Sequence, residues 1–282
     1  MDRAGTVHAM TQSVESGRPT KVIAVTSGKG GVGKTNVVAN LAYALTRLGK
    51  KVLVVDADLG LANLDVLLGL TPTSTLEQVF QGTKSLQDII IAGPGGMQIL
   101  PASSGVQQLT ALSAEQKLTF LAEVDSLEEP IDVVLIDTGS GISSNVLYFA
   151  MAAQEVIVVT CPEPTAITGA YALMKVLAQD YNYRHFQLLV NSAASAHEAD
   201  LVCQKLHRRT QQFLDISFHC IGWIPYDTYV KKAVKEQKVV LASYPNAQAS
   251  RALMRLAMAI CDWPPVMLPS GQIQFFWQRL FR

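Results

Sequence analysis

The stretch Lys21-Val22-Ile23-Ala24-Val25-Thr26-Ser27-Gly28-Lys29-Gly30-Gly31-Val32-Gly33-Lys34-Thr35-Asn36 decides the fold. Its first part, Lys21–Thr26, is a β-branched apolar run and predicts a strand covered on both faces. It leads into Gly28–Thr35, which fits G-x-x-x-x-G-K-[ST], and the helical spacing of Asn36–Leu48 follows. Strand, loop and helix in that order identify a phosphate-binding loop rather than a glycine-rich turn. The four glycines let successive backbone N–H groups turn toward one anion. A helix opening near Lys34 adds the positive end of its dipole. Lys34 is placed to reach β- and γ-phosphates, and the Thr35 hydroxyl to ligate magnesium.

Outward from this loop the chain alternates. Strands are expected at Lys51–Asp56, Met97–Pro101, Asp132–Asp137, Glu155–Thr160, Phe186–Asn191 and His219–Ile224. Helical spacing falls between most of them, at Ser113–Leu127, Thr165–Gln179 and Leu201–Phe213. That pattern predicts an α/β P-loop NTPase: a mostly parallel, doubly wound sheet with helices on both faces and ligands at the strand carboxyl ends. Residues 1–20 lack periodicity and read as a flexible arm, ahead of an ATPase domain over 21–263. Pro264, Pro265, Pro269 and Gly271 mark 264–271 as a linker. In the last segment, 272–282, Ile273, Phe276, Trp277, Leu280 and Phe281 share one helical face beside Arg279 and Arg282. A short cationic helix of that kind suits a membrane surface.

Bulk properties exclude several classes. Lys plus Arg and Asp plus Glu are 23 each, so no global field draws the chain to nucleic acid, and no direct nucleic-acid binding is expected. The amino-terminal residues have no apolar core, so no signal peptide is expected, and no run approaches a membrane span. Cys161, Cys203, Cys220 and Cys261 form no CxxC pair or metal spacing and read as small apolar residues in a reducing cytosol.

Three motifs together resemble the MinD/ParA family of deviant Walker A ATPases. Lys29, a second lysine inside the loop, resembles the lysine that reaches across a nucleotide-sandwich dimer to the partner's phosphates. Asp56-Ala57-Asp58-Leu59-Gly60-Leu61-Ala62-Asn63 resembles switch I. The resemblance implies that Asp58 orients the attacking water, Asp56 lies near the magnesium shell and Asn63 senses the partner's nucleotide. Val133-Val134-Leu135-Ile136-Asp137 resembles Walker B, with Asp137 on a magnesium-bound water, and Gly139-Ser140-Gly141 resembles switch II. Gly139 is one glycine more than many relatives carry there, so this segment is expected to be floppier. Asn191 and Ile224-Pro225-Tyr226-Asp227 resemble the adenine end. No Asn-Lys-x-Asp guanine motif accompanies them, so ATP is expected rather than GTP.

The resemblance thus implies catalytic roles for Lys29, Lys34 and Asp58. It implies nucleotide binding by Gly28, Lys29, Gly30, Gly31, Val32, Gly33, Lys34, Thr35, Asn36, Asn63, Asn191, Pro225 and Asp227, and magnesium binding by Thr35, Asp56 and Asp137. Within the family the segments Asp56–Leu70, Gly93–Gly96 and Pro162–Thr168 look most like the FleN/FlhG group of flagellar-number regulators. That group implies an ATP-dependent homodimer and a FleQ-like AAA+ sigma-54-dependent transcription activator as partner. It also implies the GTPase FlhF, although residues 1–20 lack the Asp-Gln-containing helix that activates FlhF in some relatives. The expected location is cytoplasmic, peripheral at the inner membrane through 272–282, with the cell pole as a candidate. A MinD-type division-site or ParA-type segregation ATPase is the alternative.

Overall fold

The computed structural model of the chain describes residues 20–59, 62–102, 112–113, 115–116, 119–120, 123, 130–214 and 216–264. Eight strands form one sheet in the order β3-β4-β2-β5-β1-β6-β7-β8. They are β1 (Lys21–Ser27), β2 (Val52–Ala57), β3 (Ile91–Ala92), β4 (Gln98–Leu100), β5 (Val133–Ser140), β6 (Glu155–Thr160), β7 (His185–Ala193) and β8 (Ser217–Pro225). All neighbours are parallel except β3 and β4, which are antiparallel. The expected strands are all present, and β3 is an additional edge piece.

Apolar residues on both sides of the strands explain the two layers. Ile23 and Val25 face a core built with α1 (Lys34–Arg47) and α10 (Gln248–Asp262). Val22 and Ala24 face the opposite side, under α5 (Ser144–Ala152). On that second side α6 (Pro164–Tyr181) and α7 (Ala196–Phe213) cover β6 and β7. Shorter helices fill the connections: α2 (Leu64–Leu68), α3 (Leu76–Phe80), α4 (Leu86–Ile89), α8 (Thr228–Lys235) and α9 (Val240–Ser243). Because β1 is central and its neighbours are reached by crossovers in opposite directions, its carboxyl end opens into a crevice. The phosphate loop fills that crevice.

Several expectations change at this level. Thr20, assigned to the arm, is buried, and its hydroxyl donates to the Ile131 carbonyl at 2.5 Å. Lys21 donates to the carbonyls of Ile260, Cys261 and Trp263 at 2.8, 3.0 and 2.6 Å, tying β1 to the end of α10. Cys203 and Cys220 are joined in a disulfide, with Cα atoms 6.5 Å apart, so they are not two free thiols. The cause is the packing of α7 onto β8, which brings together positions that no local cysteine motif would pair. Cys161 and Cys261 are free, as expected for all four. Helix Ser113–Leu127 lies largely outside the described residues, although Glu115, Gln116, Thr119, Phe120 and Glu123 are helical. The arm through residue 19 and the segment Gln272–Arg282 lie outside them too. Among the described residues no helix is long and apolar enough to cross a membrane.

One packing constraint positions the loop. A methyl group built on Gly169, in the second turn of α6, would stand 2.7 Å from the Gly28 carbonyl oxygen. A methyl on Gly28 would run into the Gly169 carbonyl. Both neighbours are backbone and cannot rotate away. Gly169→Ala is therefore expected to cost about 1–3 kcal/mol. Denaturant unfolding measures it, and a midpoint equal to wild type would show that α6 does not press on the loop.

Candidate functional site: a phosphate loop with two lysines

Gly33 precedes α1 in a left-handed conformation (φ 87), and Gly31 shares it (φ 82). A side chain at Gly33 would also strike the Asn191 amide. These conformations open the loop around a cavity of about 550 Å³ lined by Ser27, Gly30–Asn36, Asp58, Asn63, Val66, Leu67, Ser140, Val234 and Gln237. A second cavity of about 270 Å³ shares the loop from Gly31 to Gly33 with it. Its remaining walls include Asn36, Asn191, Pro225, Asp227, Val230, Lys231 and Leu253. The first is the candidate phosphate site and the second the candidate base site.

The two lysines behave oppositely. Lys34 opens α1, is buried, and bonds Asp137 Oδ1 through Nζ at 2.6 Å. Lys29 lies exposed at the loop tip, where Nζ bonds Glu163 Oε2 and Thr165 Oγ1, both at 2.8 Å. Glu163 caps α6 and Pro164 is its first residue, a position where proline fits without losing a helical bond. Sequence reading missed both partners of Lys29, although the break after β6 at Glu163-Pro164-Thr165 marks them.

Three carboxylates lie near Lys34, the one buried ammonium among the described residues. Asp56 is buried and accepts from the backbone N–H groups of Asp58 at 3.1 Å and Leu64 at 3.4 Å. Burial, and then the negative charge of Asp137, push its pKa up to about 8. Burial also raises Asp58, partly offset by Lys34. Thr35 lies beside Lys34 in the first turn of α1. Thr35, Asp56 and Asp137 form a hard oxygen donor set with one carboxylate in excess of Lys34, and such a set fits a divalent magnesium ion.

Switch II continues β5 and is bonded to the end of β1. Gly139 lies within β5, Ser140 pairs with Ser27, and the Gly141 N–H donates to the Ser27 carbonyl at 2.8 Å. Gly139 instead makes room: a methyl there would be 3.3 Å from Asp58 Oδ1 and from Val146 Cγ2. Gly141 takes the left-handed turn (φ 91). In switch I, Asn63 is the N-cap of α2 and lines the larger cavity, whereas Gly60 and Leu61 lie outside the described residues.

At the base end Asn191 is inside β7 rather than at its end, and its Nδ2 donates to the Val32 carbonyl at 2.8 Å. Asp227 caps two helices at once: Oδ1 accepts from Tyr229 N at 2.9 Å and Oδ2 from Ala249 N at 3.1 Å. Its carboxylate thereby shapes the pocket wall. Val230, Lys231 and Leu253 were not expected here. The first two follow one turn after Asp227, but nothing local in the sequence points to Leu253.

The sequence profile described as an AAA domain matches residues 20–188. Antiactivator FleN of Pseudomonas aeruginosa is 46% identical, covering 93% of this chain and 94% of that protein. The chain belongs to the MinD/ParA family of P-loop ATPases. Flagellum site-determining protein YlxH of Helicobacter pylori, 33% identical, covers 93% of this chain and 90% of its own length. Among solved structures, the septum site-determining protein MinD of Pyrococcus horikoshii, complexed with Mg-ADP, superposes with a TM-score of 0.69 at 26% identity. That likeness spans 86% of this chain and 96% of the other. The MinD/ParA fold thus accounts for the sheet order, the two-lysine loop and the crevice at the end of β1.

In this family member Asp56 titrates in a way that stability reports. In the fold it keeps its proton to about pH 8, whereas unfolded it ionises near its ordinary value of 3.8. Between those values the folded state binds more protons, so stability falls as pH rises. Nucleotide-free protein with metals chelated is expected to lose stability as pH rises toward about 8. Asp56→Asn should flatten that slope. Equal slopes in both proteins, measured by denaturant unfolding, would reject the assignment.

Proposed function

We propose that the chain is a slow, dimer-dependent ATPase whose ATP-bound form restrains a FleQ-like AAA+ transcription activator and so sets flagellar number. The observation that carries the reading is the contrast between the two lysines. An exposed ion pair such as Lys29–Glu163 is worth about 0–1 kcal/mol, so Lys29 can leave it at little cost. Removing one partner of a buried pair such as Lys34–Asp137 costs about 3–5 kcal/mol. Lys34 therefore serves the phosphates of its own chain, and Lys29 is free to serve those of a second copy.

ATP occupies the loop, with its base against Asn191 and Pro225. Thr35, Asp56 and Asp137 would hold magnesium, which would supply positive charge against the phosphates. Asp58 holds the attacking water, and Gly139 keeps open the space in which its carboxylate sits. Lys29 from the second copy stabilises charge on the transferring phosphoryl group, as an arginine finger does. The flagellar output is supported by the relatives named Antiactivator FleN and Flagellum site-determining protein YlxH. Gln272–Arg282 adds a membrane contact, strengthened when two copies act together.

Lys29→Ala is expected to keep ADP affinity, lose the ATP-dependent dimer on size exclusion, and lower turnover by about 10³-fold or more. Normal dimerisation with wild-type turnover would sink the trans role. Asp58→Ala should instead accumulate an ATP-bound dimer with phosphate release nearly abolished, and a chain that stays monomeric would reject its assignment. The output is tested by adding ATP-loaded Asp58→Ala protein to a purified sigma-54-dependent activator. The activator's ATPase should fall, and no change would favour the division or segregation reading. Deleting 272–282 should abolish sedimentation with anionic vesicles, and equal sedimentation of both proteins would reject the membrane contact.

A further inference from the structure

Helix α8 meets both cavities. Val230 and Lys231, near its start, line the smaller one, and Val234 and Gln237, at and beyond its far end, line the larger. The helix closes in a Schellman turn: Gln237 N–H donates to the Val234 carbonyl at 3.1 Å and Lys238 N–H to the Ala233 carbonyl at 3.0 Å. The left-handed position of such a turn is usually glycine or asparagine. Here it is Gln237, with φ 54. A long side chain is strained at that position, and what it reaches gives the reason: Nε2 donates to the Val66 carbonyl at 2.8 Å.

Val66 belongs to α2, the five-residue helix that follows switch I. A helix this short makes few bonds of its own: the Val66 carbonyl accepts from the Gly69 N–H at a long 3.3 Å, and Gln237 adds a second, shorter donor from outside. At its start Leu64 N–H reaches Asp56 Oδ2 at 3.4 Å. At its end Gly69 is also left-handed (φ 64), and a methyl built on it would stand 3.2 Å from Gln237 Cβ. The two turn residues therefore abut, and α2 is gripped between Asp56 at one end and Gln237 at the other.

We propose that Gln237 is a positioning residue for hydrolysis: α8 is a strut between the base pocket and α2, and the Gln237–Val66 bond sets where switch I places Asn63 and Asp58 at the phosphate cavity. The inference rests on the ATPase reading above: Gln237 lines the larger cavity, and its part in hydrolysis is played through switch I.

Three variants separate a donor role from a structural one. Gln237→Gly removes the amide and relaxes the turn, Gln237→Glu keeps the shape without a donor, and Gln237→Lys supplies a donor of similar reach. Hydrogen exchange of the Leu67, Gly69 and Leu70 amides is measured without nucleotide, ATP turnover with magnesium, and ADP affinity by titration. The Gly and Glu variants should exchange these amides about tenfold faster and turn over ATP about tenfold more slowly, with ADP affinity within about twofold of wild type. The Lys variant should match wild-type exchange and keep at least about half of its turnover, because its ammonium supplies the donor. Unchanged exchange in Gln237→Gly would overturn the grip on α2. Unchanged turnover despite faster exchange would overturn the positioning role, as would equal losses in the Lys and Glu variants. A wild-type chain that hydrolyses no ATP would remove the ATPase reading, while the exchange comparison would still decide whether Gln237 holds α2.

Discussion

The ammonium of Lys34 and the carboxylate of Asp137 lie 2.6 Å apart and almost out of water, and the surrounding charges arrange themselves around that pair. A lone charge at this depth would be far too costly, so each residue needs the other. Their bond also ties the first turn of α1 to β5, across the strand that launches the loop. Asp56 has no such direct partner, and burial followed by the charge of Asp137 raises its pKa, with Lys34 only partly offsetting them. Removing Lys34 would leave Asp137 as an unpaired buried charge, so a Lys34→Ala protein reports fold stability as well as phosphate affinity.

Backbone geometry supplies the second constraint. Left-handed Gly31 and Gly33 let the loop curl, while Gly28 lets α6 approach until backbone meets backbone. The side chain of Lys29 then bonds residues at the start of that same helix. Loop and α6 thus touch at two points, one by packing and one by a surface ion pair. Movement of Lys29 away from Glu163 breaks only the weaker of these. A lysine can be released toward a second copy without dismantling the loop that holds phosphate.

Much of this was legible in the sequence because the signals were local. Lys21–Asn36 order strand, glycines and helix within one short run, so loop and fold class followed from adjacent residues: β1 and α1 begin and end within a few positions of expectation, with Thr35 and Asn36 in the first turn. Asp56, Asp58 and Asp137 each end an apolar run, and the structure gathers them around Lys34. What sequence reading missed is what tertiary packing creates. The Cys203–Cys220 bond, the wall supplied by Leu253, and the Asp227 carboxylate capping two helices all join separate elements that only packing brings together. Gly139 misled for a related reason. A glycine read alone signals mobility, but this one lies in β5 where the register with β1 shifts, and the Asp58 carboxylate lies close against it.

The phosphate loop cannot by itself decide between a flagellar and a division role. Its demands are fixed by triphosphate and magnesium, so any member of the family must meet them with much the same glycines, lysines and carboxylates. The 26% identity to a Mg-ADP-bound MinD, at a TM-score of 0.69, is a likeness of that shared frame. Identity of 46% over 93% of the chain with Antiactivator FleN is of another kind. The loop and switches are too few residues to supply that much identity, so it must extend into parts of the fold that no nucleotide touches.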